Sequence, residues 1–248
     1  MSKPMGLLLN CDLGESFGAW TQGVDHQVMP YIDQASIACG FHAGDPQVIK
    51  QTLALAAEHG VAVGAHPSYP DLAGFGRRSM KLAATELIAI LQYQIAALAG
   101  MAQNIGLSLS YVKPHGALYN DMMANGQLRS AVMQAIAECH QPLAFMLQAT
   151  ADWETHRSEA EAFGIQPLFE AFADRCYDDS GALLSRSQPD AVLCREKMLD
   201  QVQQLQEDGS VTTVSGKRLA LTADSLCVHG DNPEAADAIG EIRQLLSP

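Results

Sequence analysis

The chain has 248 residues, 48% of them hydrophobic and only 6% aromatic, which suits one large domain over residues 1–248 with an aliphatic, Ala-rich core. Twenty-eight acidic against 15 basic residues give a formal charge of -13, which would repel a phosphate backbone and argues against a nucleic-acid partner. The six cysteines have no CxxC or zinc-finger spacing and the amino-terminal residues lack a signal-peptide pattern, so a cytoplasmic chain with reduced thiols is expected.

In chain order, the first apolar run, Gly6 to Leu13, reads as a strand carrying Asn10 and Asp12, with Glu15 just beyond it. A second run, Ala35 to Cys39, is followed by His42 and by Gly44-Asp45-Pro46. There Asp45 can cap a helix over Pro46 to His59 that Pro46 opens and Gly60 closes. Val61 to His66 reads as the third strand. Pro67 to Met80 is a long polar loop with Gly74, Gly76, Arg77 and Arg78, and long loops in compact domains are often functional. Its Arg pair either holds an anion by forked hydrogen bonds or forms a surface ion pair.

An Ala/Leu-rich helix is expected from Ala84 to Asn104. Gln92 and Gln94 interrupt its apolar centre, so it reads as a packed helix rather than a membrane span. Leu109 to His115 is the fourth strand, with Lys113 and His115 at its end. Then come a helix from Leu128 to Cys139, a strand from Leu143 to Leu147, a helix from Trp153 to Phe163 and a strand from Leu168 to Ala173. Glu170 lies in this last strand and Asp174 just after it. A helix from Asp190 to Gln206, a hairpin from Val211 to Leu221 and a seventh strand, Ser225 to His229, follow. Asp231 comes next, then a final helix from Pro233 to Leu246 capped by Asn232.

Seven nearly continuous apolar runs alternating with helices predict parallel strands buried on both faces. The fold expected is an α/β single-domain β/α barrel, distorted or incomplete, with a doubly wound open sheet as the alternative. In a β/α barrel the C-terminal strand ends carry the active site. Asp12, His66, Lys113, His115 and His229 fall there, with Glu15, His42, Asp174 and Asp231 just beyond. A single histidine in an apolar run is usually structural, but so many polar groups at one rim are costly to bury without a purpose. Asn10 with Asp12, and Lys113 with His115, are two residues apart and so share a strand face. No phosphate-binding P-loop, dinucleotide fingerprint or serine-hydrolase elbow is present.

Six segments resemble the LamB/YcsF family. They are Asn10-Cys11-Asp12-Leu13-Gly14-Glu15, Ile37 to Pro46, Gly64 to Asp71, Val112 to Asn120, Glu170 to Arg175, and Val228-His229-Gly230-Asp231. The resemblance implies a distorted barrel similar to polysaccharide deacetylases, and the role of the A component of an ATP-dependent 5-oxoprolinase. That activity opens the lactam 5-oxoproline to glutamate with subunits B and C, using ATP with Mg on this chain or on a partner. For such a reaction catalytic roles are expected for Asp12, Glu15, His66, His115, Glu170 and Asp174, with Asp12 or Glu170 as the base. Asn10, His42, Lys113, Tyr119, Asn120, Arg77, Arg175, His229 and Asp231 are then the expected substrate-binding residues. Leu8 departs from the pattern, standing where the family usually carries Asp.

Two alternatives stand beside this. One is a stand-alone metal-dependent deacetylase or amidohydrolase, with a divalent ion on Asp12, His42 and His66, although an H-x-x-x-H pair is absent. The other is a non-catalytic protein that binds 5-oxoproline for its partners.

Overall fold

The apolar runs become strands because helices cover them outside and side chains fill them inside. A computed structural model describes residues 6–22, 24–186, 188–230 and 232–246. The elements run β1 (Leu8–Leu13), α1 (Asp25–Val28), β2 (Gln34–Ala38), α2 (Pro46–His59), β3 (Ala62–His66), α3 (Ala84–Gln103), β4 (Leu109–Val112), α4 (Gly116–Ala124) and α5 (Gly126–Ala137). They continue with β5 (Ala144–Gln148), α6 (Trp153–Ala162), β6 (Pro167–Phe172), α7 (Arg195–Asp208), β7 (Ser210–Thr212), β8 (Arg218–Ala220), β9 (Ser225–His229), α8 (Pro233–Asp237) and α9 (Ile239–Leu246).

Seven strands close a barrel in the order β1-β2-β3-β4-β5-β6-β9, and β9 pairs in parallel with both β1 and β6. Closure excludes the open-sheet alternative. The distortion lies around β4: the β3–β4 register shifts between Val63 and Gly64, and β4 shares only two register pairs with β5. Gly64 is required here, because a Cβ at this position would sit 2.3 Å from the buried Tyr111 ring. The antiparallel β7–β8 hairpin stands apart from the barrel sheet, as expected of the segment around Ser215-Gly216.

Asp45 caps α2 by accepting from the Gln47 and Val48 N–H groups at 2.8 and 3.0 Å. Helix α3 is long and apolar enough to cross a membrane by length and composition, but Leu87, Leu91, Ile95, Leu98 and Ala102 turn one face into the core.

Three boundaries and one cap differ most from expectation. Strand β4 ends at Val112 rather than His115, because Pro114 has no N–H for the ladder. Lys113 and His115 still bond on, to the Ala65 and Pro67 carbonyls at 2.9 and 2.8 Å, which keeps both aligned with the mouth. Helix α7 starts at Arg195, not Asp190, since Asp190 takes a left-handed conformation (φ 61°) and Val192 bridges to Arg175. The last helix is two, broken at Ala238. Asn232 gives its side chain to Asp174 at 3.3 Å rather than capping α8.

Candidate active site

At the C-terminal end of the barrel the buried Lys113 lies among acidic groups. Its ammonium meets Asp12 Oδ1 at 2.8 Å, Glu170 Oε2 at 2.9 Å, and Asn10 Oδ1 and Cys227 Sγ at 3.2 Å each. An ammonium has three N–H groups. Asp12, Glu170 and Asn10 engage all three, the arrangement of a structural ion-pair partner. Burial disfavours the charge, yet Asp12 above all holds the lysine well above its ordinary value. Asn10 also donates to Glu170 Oε2 at 3.3 Å and to Ser225 Oγ at 2.8 Å. Glu170 is 0% exposed, and burial first, then the neighbouring Glu170 carboxylate, pushes the buried Tyr119 hydroxyl well above its ordinary value.

Beside this cluster the second oxygen of Asp12 faces His66 Nε2 at 3.4 Å. Burial would raise the Asp12 carboxyl, but His66 and Lys113 hold it well below the usual carboxylate range. The same attraction, working against burial, raises the His66 imidazole. His66 Nδ1 donates to the Lys113 carbonyl at 2.7 Å, and His66 Nε2 meets His115 Nδ1 at 2.9 Å. His115 Nε2 donates to the Phe75 carbonyl at 2.9 Å, so in its neutral form Nδ1 carries the lone pair. His42 stacks on His115 at 3.7 Å between centroids, and its Nε2 lies 3.0 Å from Glu15 Oε1. Burial first, then neighbouring histidines, pushes His42 and His115 well below the ordinary imidazole value.

The expected loop from Pro67 to Met80 covers the histidines. Gly76 adopts φ 63°, and a Cβ there would come within 2.8 Å of the His115 ring and 2.9 Å of His42 Cβ. Arg78 is an exposed ion-pair partner of Asp71, which settles half of the Arg pair as structural. Arg77 packs over Phe75 and lines the cleft.

A cleft of about 650 Å³ opens over the mouth and is lined by Asp12, Glu15, His66, Lys113 and His115. Tyr119, Asn120, Arg175 and His229 form part of its wall. Arg175 is itself committed, donating from its guanidinium to the Ala191 and Leu184 carbonyls and so fixing the loop after β6. His229 is supported by Asp174 through Nδ1 at 2.8 Å. Of the expected metal set, His42 and His66 stand together with Glu15 and His115, whereas Asp12 is turned to Lys113; a second group of Asp12, Cys227 and His229 could also hold an ion. Asp231 lies outside the described residues. Leu8 is 38% exposed at the start of β1, at the end of the strand opposite Asp12, so its departure from the family pattern does not touch the mouth.

Sequence reasoning missed Ser68, Ser225 and Cys227. Ser68 holds His42 Nδ1 at 3.2 Å, and Ser225 supports Asn10. Cys227 reads as a small buried hydrophobe, and it is fully buried; its spacing of two from His229 on β9 was the available signal for a shared face.

The LamB/YcsF family model matches residues 7–248. The chain is 51% identical over 243 residues to the A subunit of 5-oxoprolinase from Pseudomonas fluorescens, covering 97% of both chains. It is 52% identical over 239 residues to the A subunit of 5-oxoprolinase from Vibrio cholerae, covering 96% of both. The crystal structure of the lactam utilization protein from Thermus thermophilus superposes with a TM-score of 0.88 at 38% identity, over 98% of this chain and 96% of that one.

Proposed function

This chain belongs to the LamB/YcsF family, and on that basis we propose that it is the lactam-opening A component of an ATP-dependent 5-oxoprolinase. It acts with subunits B and C to convert 5-oxoproline to glutamate. The observation that carries the reading is the buried Asp12–His66–His115 chain, next to Lys113 and Glu170, beneath the cleft.

A lactam is a weak electrophile, so its hydrolysis needs a base for the water and a proton for the departing nitrogen. Asp12 lines the cleft and Glu170 does not, which favours Asp12 as the base. Water adds to the ring carbonyl carbon as its proton passes to Asp12. The C–N bond then breaks as Asp12 passes that proton on to the departing nitrogen, with His66 beside it. His115 aligns His66 through their 2.9 Å contact. Lys113 and Glu170 fix the position and charge of Asp12, while Arg77 and Arg175 supply positive charge for the substrate carboxylate. Tyr119, Asn120 and His229 complete the wall around the ring, Asp174 orients His229, and ATP with its Mg is consumed within the complex.

A stand-alone metal-dependent amidohydrolase is the second reading, favoured by the Glu15–histidine cluster. One assay separates the two. The chain, its partners and all single omissions are tested for glutamate formation and phosphate release with 5-oxoproline and ATP. Both products are expected only from the complete mixture. Glutamate formation by the chain alone without ATP would replace this reading with the amidohydrolase.

A further inference from the structure

We propose that Glu15, His42, His66 and His115 form a binding site for a divalent first-row transition ion of the zinc class. This deepens the reading above, on which it rests only for the ion's task. Hydrogen-bond direction points to it first. His66 Nδ1 and His115 Nε2 each meet a backbone carbonyl, which only accepts, so each carries a proton there. His42 Nδ1 meets Ser68 Oγ, whose own proton goes to the Tyr69 carbonyl at 2.7 Å; Ser68 therefore accepts, and His42 Nδ1 carries the proton. The inner nitrogens, His42 Nε2, His66 Nε2 and His115 Nδ1, are thus left as lone pairs in the neutral rings. They converge with a Glu15 oxygen, all four atoms within 4.8 Å of one another. Four acceptors facing one point require added protons or a cation.

Distance agrees. A tetrahedral ion with bonds of about 2.0–2.1 Å holds its donors about 3.3 Å apart. The contacts here are 2.9 Å for His66–His115, 3.0 Å for His42–Glu15, 3.4 Å for His115–Glu15 and 4.0 Å for His66–Glu15. Small rotations about rings already pinned at their outer nitrogens satisfy that spacing. Such outer acceptors are what orient imidazole ligands on an ion. Three histidines and one carboxylate match the ligand preference of zinc rather than of magnesium or calcium.

Charge points the same way. Lys113 is bonded to Asp12 and Glu170, while the Glu15 carboxylate lies among the three histidines and supplies negative charge for a cation. Glu15, His66 and His115 line the cleft while His42 lies behind them, so the open side of the ion would face the substrate. Such an ion supplies a polarised carbonyl oxygen or an acidified water. Of the expected metal set, Asp12 gives way to Glu15, whose carboxylate oxygen is the one that converges with all three imidazoles.

The test uses the full-length chain, stripped with chelator, dialysed and titrated with zinc chloride alone by calorimetry, with bound metal counted after gel filtration. One ion per chain is expected. Binding should weaken at least 100-fold in His42→Ala and in Glu15→Gln, and stay within about threefold in Asp12→Asn. Circular dichroism reports folding. If His42→Ala misfolds, Ser68→Ala, which removes only the outer acceptor, should weaken binding roughly tenfold. No stoichiometric ion in the folded wild-type chain overturns the site, as does undiminished binding in Glu15→Gln and Ser68→Ala. An active complex whose chain binds no ion sinks the site alone; an ion-bound chain in an inactive complex sinks the lactam reading alone.

Discussion

Lys113 shows how much a single side chain can decide. At the sequence level a lysine two residues before His115 reads as an anion ligand, with partnership to buried acids as the alternative. The structure puts its ammonium against Asp12, Glu170 and Asn10. Lys113→Met therefore strands two buried carboxylates, at a cost of about 3–5 kcal/mol. For a chain of this size that lowers the melting temperature on the order of 10 °C. A thermal melt of the purified chain checks this; an unchanged melting point with lost activity would return Lys113 to the ligand role. The acids and histidines at the mouth were legible one by one, because each sits at or near the end of an apolar run. Their pairing was not, since it depends on contacts such as Asn10 to Glu170 across 160 residues.

Among the elements, the loop between β3 and α3 matters most. Its length and polarity marked it in the sequence, but its function comes from backbone atoms that no side-chain pattern displays. The Phe75 carbonyl holds His115, and Gly76 leaves room for two imidazole rings. Gly76→Ala forces a non-glycine residue into left-handed backbone, costing roughly 1–2 kcal/mol, and pushes a methyl into His42 and His115. The strain falls on the loop, so it should open locally before the barrel unfolds. Limited proteolysis between Pro67 and Met80 should speed up roughly tenfold, while the global melting temperature moves little. Equal cleavage rates would show that the loop tolerates the methyl.

Helix α2 was legible to the residue because Asp45, Pro46 and Gly60 mark both of its ends. Helix α4 was not, since its buried Ala117, Leu118, Tyr119 and Met122 wrap around the helix instead of forming one apolar stripe.

At the scale of the molecule, seven parallel strands bring residues from Asn10 to His229 to one mouth, and barrel closure through β9 makes the first and last motifs neighbours. Sequence periodicity indicated the strand count; only the pairing of β9 with both β1 and β6 distinguishes a barrel from an open sheet. Lactam opening at this mouth, inside a complex, is tested most directly by one comparison. Glutamate formation from 5-oxoproline and ATP is measured for complexes reconstituted with wild-type or Asp12→Asn chain, each checked for assembly by gel filtration. Loss of the base predicts a rate on the order of 10²–10⁴-fold lower in an intact complex. A fully assembled Asp12→Asn complex working within about threefold of wild type would contradict the assignment of the chemistry to this mouth.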